Sequence, residues 1–141
     1  MSGRMNEVYK KLRIESKMSG LRLVESCVDT LTSELGISQD SYGKILVATM
    51  EAVNNAIQHG NKSNPEKYVE VEITLGNKDV TVVVTDEGKG FDPKSVPDPT
   101  RPENIEEING RGVFLMSKLA DRMEYNSIGN SVKMTFLEVI P

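Results

Sequence analysis

The segment from residue 38 to residue 60 constrains the fold more than any other, because it reads as one long amphipathic helix that ends at a glycine. Ser38 is a suitable N-cap, since its hydroxyl can accept a hydrogen bond from the first turn. Apolar residues recur at three- and four-residue spacing and predict one buried stripe, formed by Leu46, Met50, Val53 and Ile57.

The opposite side of this predicted helix carries the polar residues Glu51, Asn54, Asn55 and Gln58, with His59 at the margin. A solvated face is the ordinary explanation, but such faces are usually rich in Lys and Glu, whereas Asn is a poor helix former. Glu51 and Asn55 are one turn apart, so a carboxylate and an amide oxygen can reach the same small volume. Mg²⁺ often takes only one or two protein oxygens and completes its shell with phosphates and water. The helix therefore requires a phosphate-binding partner elsewhere in the chain.

Composition narrows the class of protein. The chain has 141 residues, of which 38% are hydrophobic and 27% charged, and this predicts a single domain spanning residues 1–141. It lacks an apolar run of about 18 residues and an N-terminal apolar signal core, so no membrane association and a cytoplasmic location are expected. A net charge of −4 and the absence of tryptophan argue against direct nucleic-acid binding.

Periodicity elsewhere predicts the remaining elements, which are strands at 9–15, 68–75, 80–85, 123–126 and 131–139 and helices at 21–35 and 113–121. The turn at 76–79 joins two of these strands as a hairpin, and the last two strands form another. The predicted fold class is α+β, a two-layer α/β sandwich with three helices on one face of a mostly antiparallel sheet.

A second motif, Asp86-Glu87-Gly88-Lys89-Gly90, follows directly on a predicted strand. A carboxylate buried at a strand end could accept a hydrogen bond from an exocyclic amine, and Gly88 and Gly90 would let a planar ligand approach the backbone. An ordinary Asp/Gly turn is the alternative.

A third motif, Gly110-Arg111-Gly112, immediately precedes the predicted helix at 113–121. Free N–H groups at a helix N-terminus make a phosphate site, although glycines also serve as plain loop residues. The segment between the two glycine motifs, 91–109, is aperiodic and holds four of the six prolines. Long loops of this kind are often lids or binding loops, so residues 91–109 are predicted to be one.

Taken in order, the three motifs resemble the N, G1 and G2 boxes of the GHKL ATP-binding superfamily. The resemblance extends from about Leu12 to the C-terminus and is closest to the compact bacterial anti-sigma factor serine-protein kinases, on the stretches EAVNNAIQHG, VTDEGKGFDP and GRGVFLMSKLAD. It implies the Bergerat fold of that superfamily, with ATP and Mg²⁺ bound and residues 91–109 as the ATP lid.

The resemblance also implies roles for individual residues. Glu51 would be the catalytic base, and Asn55 would ligate Mg²⁺. Asp86 would hold the adenine amino group, supported by Thr135 from the last strand. The glycines would shape the two ends of the nucleotide pocket, with Gly88 and Gly90 at the adenine and Gly110 and Gly112 under the phosphates.

One position departs from the pattern. Some relatives carry an arginine two residues before the first glycine of the third box, where it reaches the γ-phosphate, and this chain has Ile108 there. Arg111 within the box or Arg101 in the lid could substitute for it. The departure bears on phosphotransfer more than on nucleotide binding.

The activity implied is that of an anti-sigma factor with serine-protein kinase activity, which phosphorylates a small anti-anti-sigma protein of the STAS type and then engages a sigma factor. Arg22 matches a position where such proteins contact their partners, and a solvated arginine is the alternative. The sequence is compatible with a homodimer as well as a monomer. A histidine kinase is disfavoured, because the chain's one histidine, His59, lies inside the nucleotide motif. The alternative from another class is a nucleotide-gated sensor that holds a partner without phosphorylating it.

Overall fold

The computed structural model describes residues 8–89 and 108–141 of the chain. This part forms five strands and three helices, which are β1 (Val8–Glu15), α1 (Leu21–Leu35), α2 (Gln39–Asn55), β2 (Tyr68–Gly76), β3 (Asp79–Thr85), α3 (Ile108–Leu119), β4 (Arg122–Tyr125) and β5 (Ser131–Phe136). The predicted α+β class is confirmed. Residues 1–7 and 90–107, which include Gly90, Arg101 and most of the predicted lid, lie outside the described residues.

The strands form one sheet in the order β1-β2-β3-β5-β4, and each described pair is antiparallel. Along β2 and β3 every second residue is buried, so one face of the sheet meets the helices and the other meets solvent. The predicted hairpin between β2 and β3 is confirmed. Its turn residues Asn77 and Lys78 have φ of 54° and 70°, the positive values that a tight hairpin turn requires.

The start of α2 agrees with the sequence. Gly36 adopts the left-handed conformation after α1, with φ of 71°. The Ser38 hydroxyl then caps α2 by accepting a hydrogen bond from the Ser41 N–H at 3.2 Å.

The buried stripe of α2 differs from the predicted one. Val53 and Ile57 are buried as predicted, but Leu46 and Met50 are only partly buried. The buried residues of α2 are Ile45, Ala48, Thr49, Ala52 and Val53. Two of the five are alanines, so the buried side of this helix is less bulky than the predicted stripe.

The sequence predicts a regular α-helix up to residue 60, but the last turn of this segment has a different geometry. Residues Ala56–Gly60 form a π turn, and the Asn61 N–H bonds to the Ala56 carbonyl, five residues back, at 2.8 Å. Such single π turns within helices occur frequently at functional sites.

The start of α3 also differs from the sequence prediction. The helix begins at Ile108 rather than at residue 113, so Gly110-Arg111-Gly112 lies within its first two turns and not in a loop before it. The first N–H groups of any helix have no intrahelical partner, and that of Gly110 is among them. The free N–H groups and the positive end of the helix dipole therefore begin at Ile108, five residues before the predicted start, and phosphate binding there stays a prediction.

Within residues 8–89 and 108–141, none of the helices has the length and apolarity needed to cross a membrane.

Replacing Thr49 by Val is expected to stabilise the fold. Thr49 is 0% exposed, and its hydroxyl has no hydrogen-bond partner within the described part of the chain. Valine has the same shape and a similar helix propensity, so removing the unpaired hydroxyl should raise the free energy of unfolding by about 1 kcal/mol. Urea unfolding measures this. The control is Thr74→Val on the solvent face of β2, expected to change little, and an unchanged or lower stability of Thr49→Val would refute the expectation.

Candidate functional site

The first part of the site lies where α2 meets α3. A β-carbon built on Gly112 would lie 2.7 Å from Asn55 Nδ2, 3.2 Å from Asn55 Oδ1 and 3.1 Å from Glu51 Oε1. Glu51 and Asn55 therefore point to the same small volume, directly against the third glycine motif. Only glycine at position 112 allows this approach without displacing those side chains.

The second part lies where the π turn meets the turn after β3. A β-carbon on Gly60 would lie 2.7 Å from Asp86 Oδ1 and still closer to Oδ2. A β-carbon on Gly88 would lie 2.7 Å from the carbonyl carbon of Gly60 and closer still to its oxygen. Two glycines thus let the end of the first motif lie directly against the Asp86 carboxylate and the Gly88 backbone.

Asp86 is held on both sides by hydrogen bonds. Its N–H donates to the Asn130 carbonyl at 2.9 Å, and the Asn130 amide donates back to the Asp86 carbonyl at 3.1 Å. Within its own turn, Asp86 Oδ1 accepts from the Gly88 N–H at 2.7 Å. Among the described residues Oδ2 has no donor, which leaves that oxygen for a ligand.

The electrostatic environment of Asp86 favours hydrogen-bond acceptance. Burial raises the pKa of this carboxyl, while the Gly88 hydrogen bond and the charge of Lys67 lower it. A partly desolvated carboxylate interacts more strongly with a donor than one in bulk water, because the local dielectric is lower. This fits an acceptor for an exocyclic amine.

Tyr125, at the end of β4, was not singled out from the sequence. Its pKa is raised to about 12, mainly by burial and further by the negative charge of Asp86. The phenol therefore stays protonated at neutral pH beside the carboxylate. The sequence does not indicate that Tyr125 lies near Asp86, since an aromatic residue at the end of a short strand is explained equally well by core packing.

Thr135 does not support Asp86, and that prediction is wrong. In the antiparallel register Thr135 lies opposite Thr81, which is five residues before Asp86 on the same strand and so roughly 16 Å away. The start of β5 meets the end of β3, where Ser131 pairs with Thr85 and their hydroxyls are 2.8 Å apart. The antiparallel pairing of β5 with β3 is a contact between distant segments, and the order of the motifs in the sequence does not show its register.

Asn61 was also missed. It directly follows the π turn, is 1% exposed, and accepts a hydrogen bond from the Glu87 N–H at 2.8 Å. From the sequence it belonged to a turn-rich loop, where asparagine is ordinary.

Arg22 is exposed on the first turn of α1 and does not line the site. Two apolar side chains close to it in sequence are also exposed, Met18 at 50% and Leu23 at 60%. Met18 touches the end of the first motif, because Gln58 Nε2 lies 3.8 Å from its sulfur. The exposed surface formed by Met18, Arg22 and Leu23 therefore lies next to the candidate site.

The oxygen atoms that the site offers suit a hard cation such as Mg²⁺, provided that a bound phosphate ligand completes its coordination. Within residues 8–89 and 108–141 no three His, Cys, Asp or Glu side chains are grouped so that they could hold a metal by themselves. Asn55 and Glu51 supply one amide oxygen and one carboxylate to a common volume. Mg²⁺ bound to phosphates needs no more protein ligands than these.

Sequence comparison identifies a family. The model of the histidine kinase-like ATPase domain matches residues 14–136, which is most of the chain. Curated proteins named serine-protein kinase RsbW are similar over nearly the whole chain. The Oceanobacillus iheyensis protein is 23% identical over 128 residues, or 86% of this chain and 81% of its own. The Bacillus subtilis protein is 24% identical over 137 residues, or 92% and 86%.

Structural comparison agrees on the fold. The crystal structure of the RsbU and RsbW domains of a Mycobacterium tuberculosis protein matches 92% of this chain with a TM-score of 0.65 and 17% sequence identity. This chain covers 32% of that longer chain. The match concerns the fold alone, and it confirms the GHKL-type fold that the sequence predicted.

Substituting Gly88 by Ala is expected to destabilise the protein. The new β-carbon would meet the backbone of Gly60, which cannot move aside as the end of a side chain can. Overpacking of this kind typically costs about 1–3 kcal/mol. The matched control is Gly43→Ala in α2, where a β-carbon meets nothing within 4 Å and should stabilise the helix by about 0.5–1 kcal/mol. Thermal unfolding of both variants tests this, and equal effects would contradict the packing described.

Replacing Asp86 by Asn is expected to stabilise the fold at neutral pH. Because burial raises the folded-state pKa of Asp86, its ionised form is less favourable in the folded protein than in the unfolded chain. This penalty is absent below the ordinary carboxyl pKa and develops as pH rises through the raised one. The advantage of Asp86→Asn should therefore be present at pH 7 and disappear on acidification.

Denaturant unfolding at several pH values measures this difference. Glu66→Gln, the same change at an exposed position, is the control and should leave stability unchanged. A stability gap for Asp86→Asn that does not vary with pH would show that the charge of Asp86 is not its cause.

Proposed function

The chain belongs to the histidine kinase-like ATPase domain family, and from that premise we propose that it binds ATP with Mg²⁺ and transfers the γ-phosphoryl group to a serine of a partner protein. The observation that carries the proposal is that one helix, α2 with its π turn, bears both ends of the candidate site. Glu51 and Asn55 meet Gly112 at one end, and Gly60 meets Asp86 at the other. The nine steps along the helix from Glu51 to Gly60 span roughly 13 Å, the scale of an extended nucleoside triphosphate.

The adenine is proposed to bind at Asp86. Its 6-amino group would donate to Oδ2, since Oδ1 already accepts from Gly88. Close packing of Gly60 on Gly88 leaves backbone rather than side chains around that carboxylate, and this suits a flat base. Gly90, which follows in the same motif, is proposed to shape the pocket as well.

The phosphates are proposed to bind between α2 and the N-terminus of α3. The Gly110 N–H and the positive end of the α3 dipole favour anionic oxygens there. Asn55 would hold Mg²⁺ through its amide oxygen, and the ion would supply neutralisation of the phosphate charge. Arg111 supplies the cation of this motif and is proposed to compensate for Ile108.

Glu51 is proposed to act as the base. It would accept the proton of a serine hydroxyl that attacks the γ-phosphorus, while the terminal bridging oxygen leaves with ADP. Such transfer depends mainly on positioning and on electrostatic stabilisation. The carboxylate lies beside Asn55 and Gly112, so it stands at the phosphate end of the site and not at the adenine end.

The proposed protein substrate is a small anti-anti-sigma protein of the STAS type, with a sigma factor as the alternative partner. The names of the relatives, serine-protein kinase RsbW, support the kinase part of this assignment. Phosphorylation adds about two negative charges to the substrate, which would weaken its binding to the kinase. The released kinase could then bind the sigma factor. Arg22, with exposed Leu23 beside it, is proposed to contribute to the docking surface.

A nucleotide-gated sensor without transfer is the second candidate, and Ile108 in place of an arginine favours it. Both functions require ATP binding, and only the kinase requires Glu51. The two are therefore separated by what happens to the γ-phosphate.

Glu51→Gln and Asn55→Ala should have different effects. Glutamine keeps the shape of Glu51 and removes a charge near the phosphates, so ATP affinity should hold or rise. Loss of the base should slow phosphorylation of the partner by about a hundred- to ten-thousand-fold. Asn55→Ala should weaken Mg²⁺-dependent ATP binding and transfer together.

Calorimetry with Mg·ATP and transfer of labelled phosphate to STAS-domain proteins measure both effects. Glu34→Gln, at an exposed position near the end of α1, is the control and should change neither. Full phosphorylation by Glu51→Gln would remove Glu51 as the base. ATP binding by the wild type without any phosphorylated partner would favour the sensor.

A further inference from the structure

A buried polar cluster lies beside the candidate adenine pocket. Its centre is Asn61, 1% exposed, and its second member is Ser16, 2% exposed, at the end of β1. Asn61 Nδ2 donates to Ser16 Oγ at 2.8 Å and to the Tyr68 carbonyl at 2.9 Å. Ser16 Oγ donates to the Lys67 carbonyl at 2.8 Å. The side-chain oxygen of Asn61 faces the other way and accepts from the Glu87 N–H at 2.8 Å.

The orientation of the Asn61 amide is fixed by these partners. The Glu87 N–H can only donate, so the atom facing it must be the oxygen. The Tyr68 carbonyl can only accept, so the atom facing it must be the nitrogen. Rotating the amide by 180° would place oxygen against oxygen at one end and nitrogen against N–H at the other, which leaves a single arrangement of this cluster.

The hydrogen bond to Glu87 acts on the turn that carries Asp86. Glu87 lies between Asp86, whose backbone is tied to Asn130, and Gly88, whose N–H binds the Asp86 carboxylate. Glu87 is itself exposed, but its N–H reaches the oxygen of the buried Asn61, and this hydrogen bond favours the turn conformation that presents the N–H to Asn61. The position of the Asp86 carboxylate is therefore set from one side by Asn130 and from the other by Asn61.

We propose that Asn61 is a positioning residue for adenine selectivity, and that it acts by holding the Asp86–Gly88 turn in the conformation that accepts the 6-amino group. The proposal rests on the proposed function, in which Asp86 contacts that group. Asn61 itself touches neither the base nor the phosphates. Its effect is on which purine the site prefers, and not on phosphate or metal binding.

A variant of Ser16 distinguishes a role of Asn61 in selectivity from a role in stability alone. It belongs to the same buried cluster, and its loss removes one acceptor of the Asn61 amide, while the Lys67 carbonyl keeps the Ser16 N–H as a donor at 3.1 Å. Within the described part of the chain, the Ser16 side chain makes no hydrogen bond to the turn at Glu87. Ser16→Ala should therefore lower stability and keep the selectivity. Asn61→Ala should lower stability and lose the selectivity as well.

The test compares the affinity for ATP with that for purine ribonucleoside triphosphate, which lacks the 6-amino group and is otherwise the same ligand. A hydrogen bond to a charged acceptor predicts that the wild type prefers ATP by about tenfold or more. In Asn61→Ala the preference should fall to about threefold or less. Calorimetry at a temperature where every variant is folded gives these ratios, and Asn61→Ser replaces Asn61→Ala if the latter does not fold.

Amide hydrogen exchange at Glu87 provides a second readout. Exchange should be faster in Asn61→Ala than in the wild type and unchanged in Ser16→Ala. A wild type that prefers ATP together with an Asn61→Ala that prefers it equally would overturn the role of Asn61 and leave the proposed function standing. A wild type that binds both ligands equally would instead overturn the adenine contact of Asp86, and the role of Asn61 with it.

Discussion

Close packing of Gly60 against the Asp86 carboxylate and the Gly88 backbone is the contact on which the candidate site depends. Together with the hydrogen bond from the Glu87 N–H to Asn61, it joins the end of α2 to the end of β3. Neither glycine can carry a β-carbon without displacing the Asp86 carboxylate or the chain itself. The same absence of a side chain at Gly112 lets α3 reach Glu51 and Asn55. Glycine serves here to bring helices and turns within reach of one another, more than to allow unusual backbone angles.

The placement of Asp86 is unfavourable for stability and favourable for binding. Burial that raises the pKa of a carboxyl also removes the water that would compete with a ligand for it. The negative charge of Asp86 adds to the burial that raises the pKa of Tyr125, so two groups withdrawn from solvent lie in the same part of the fold. Native proteins tolerate such local costs at functional sites and offset them with packing elsewhere.

The conformational preferences of individual residues made most of the helices and strands predictable. The contacts between segments that are far apart in the sequence could not be predicted in this way. Gly36 and Ser38 mark helix ends through their own conformational preferences, so they could be identified without knowing the neighbours. Ile108 could not be recognised as the start of α3, because the two glycines that follow it argue for a loop and only packing on α2 makes them helical. Thr135 was assigned to the wrong end of its strand, since motif order carries no register. Asn61 looked like any turn residue, and its burial follows only from where β1 and β3 end.

The π turn gives the chain a way to adjust length at one end of the site without disturbing the other. A π turn holds one residue more than the α-helical turn it replaces, so 56–60 stores an extra residue beyond Asn55. A helix advances about 1.5 Å and rotates about 100° with each residue, and an insertion in α2 before Glu51 would rotate one part of the helix relative to the other. An insertion or deletion within 56–60 would instead act on Gly60 and on the buried Asn61 that follows it. A change of length in that one turn therefore alters the distance from Asp86 to Glu51 and Asn55 and leaves the earlier turns of α2 in register.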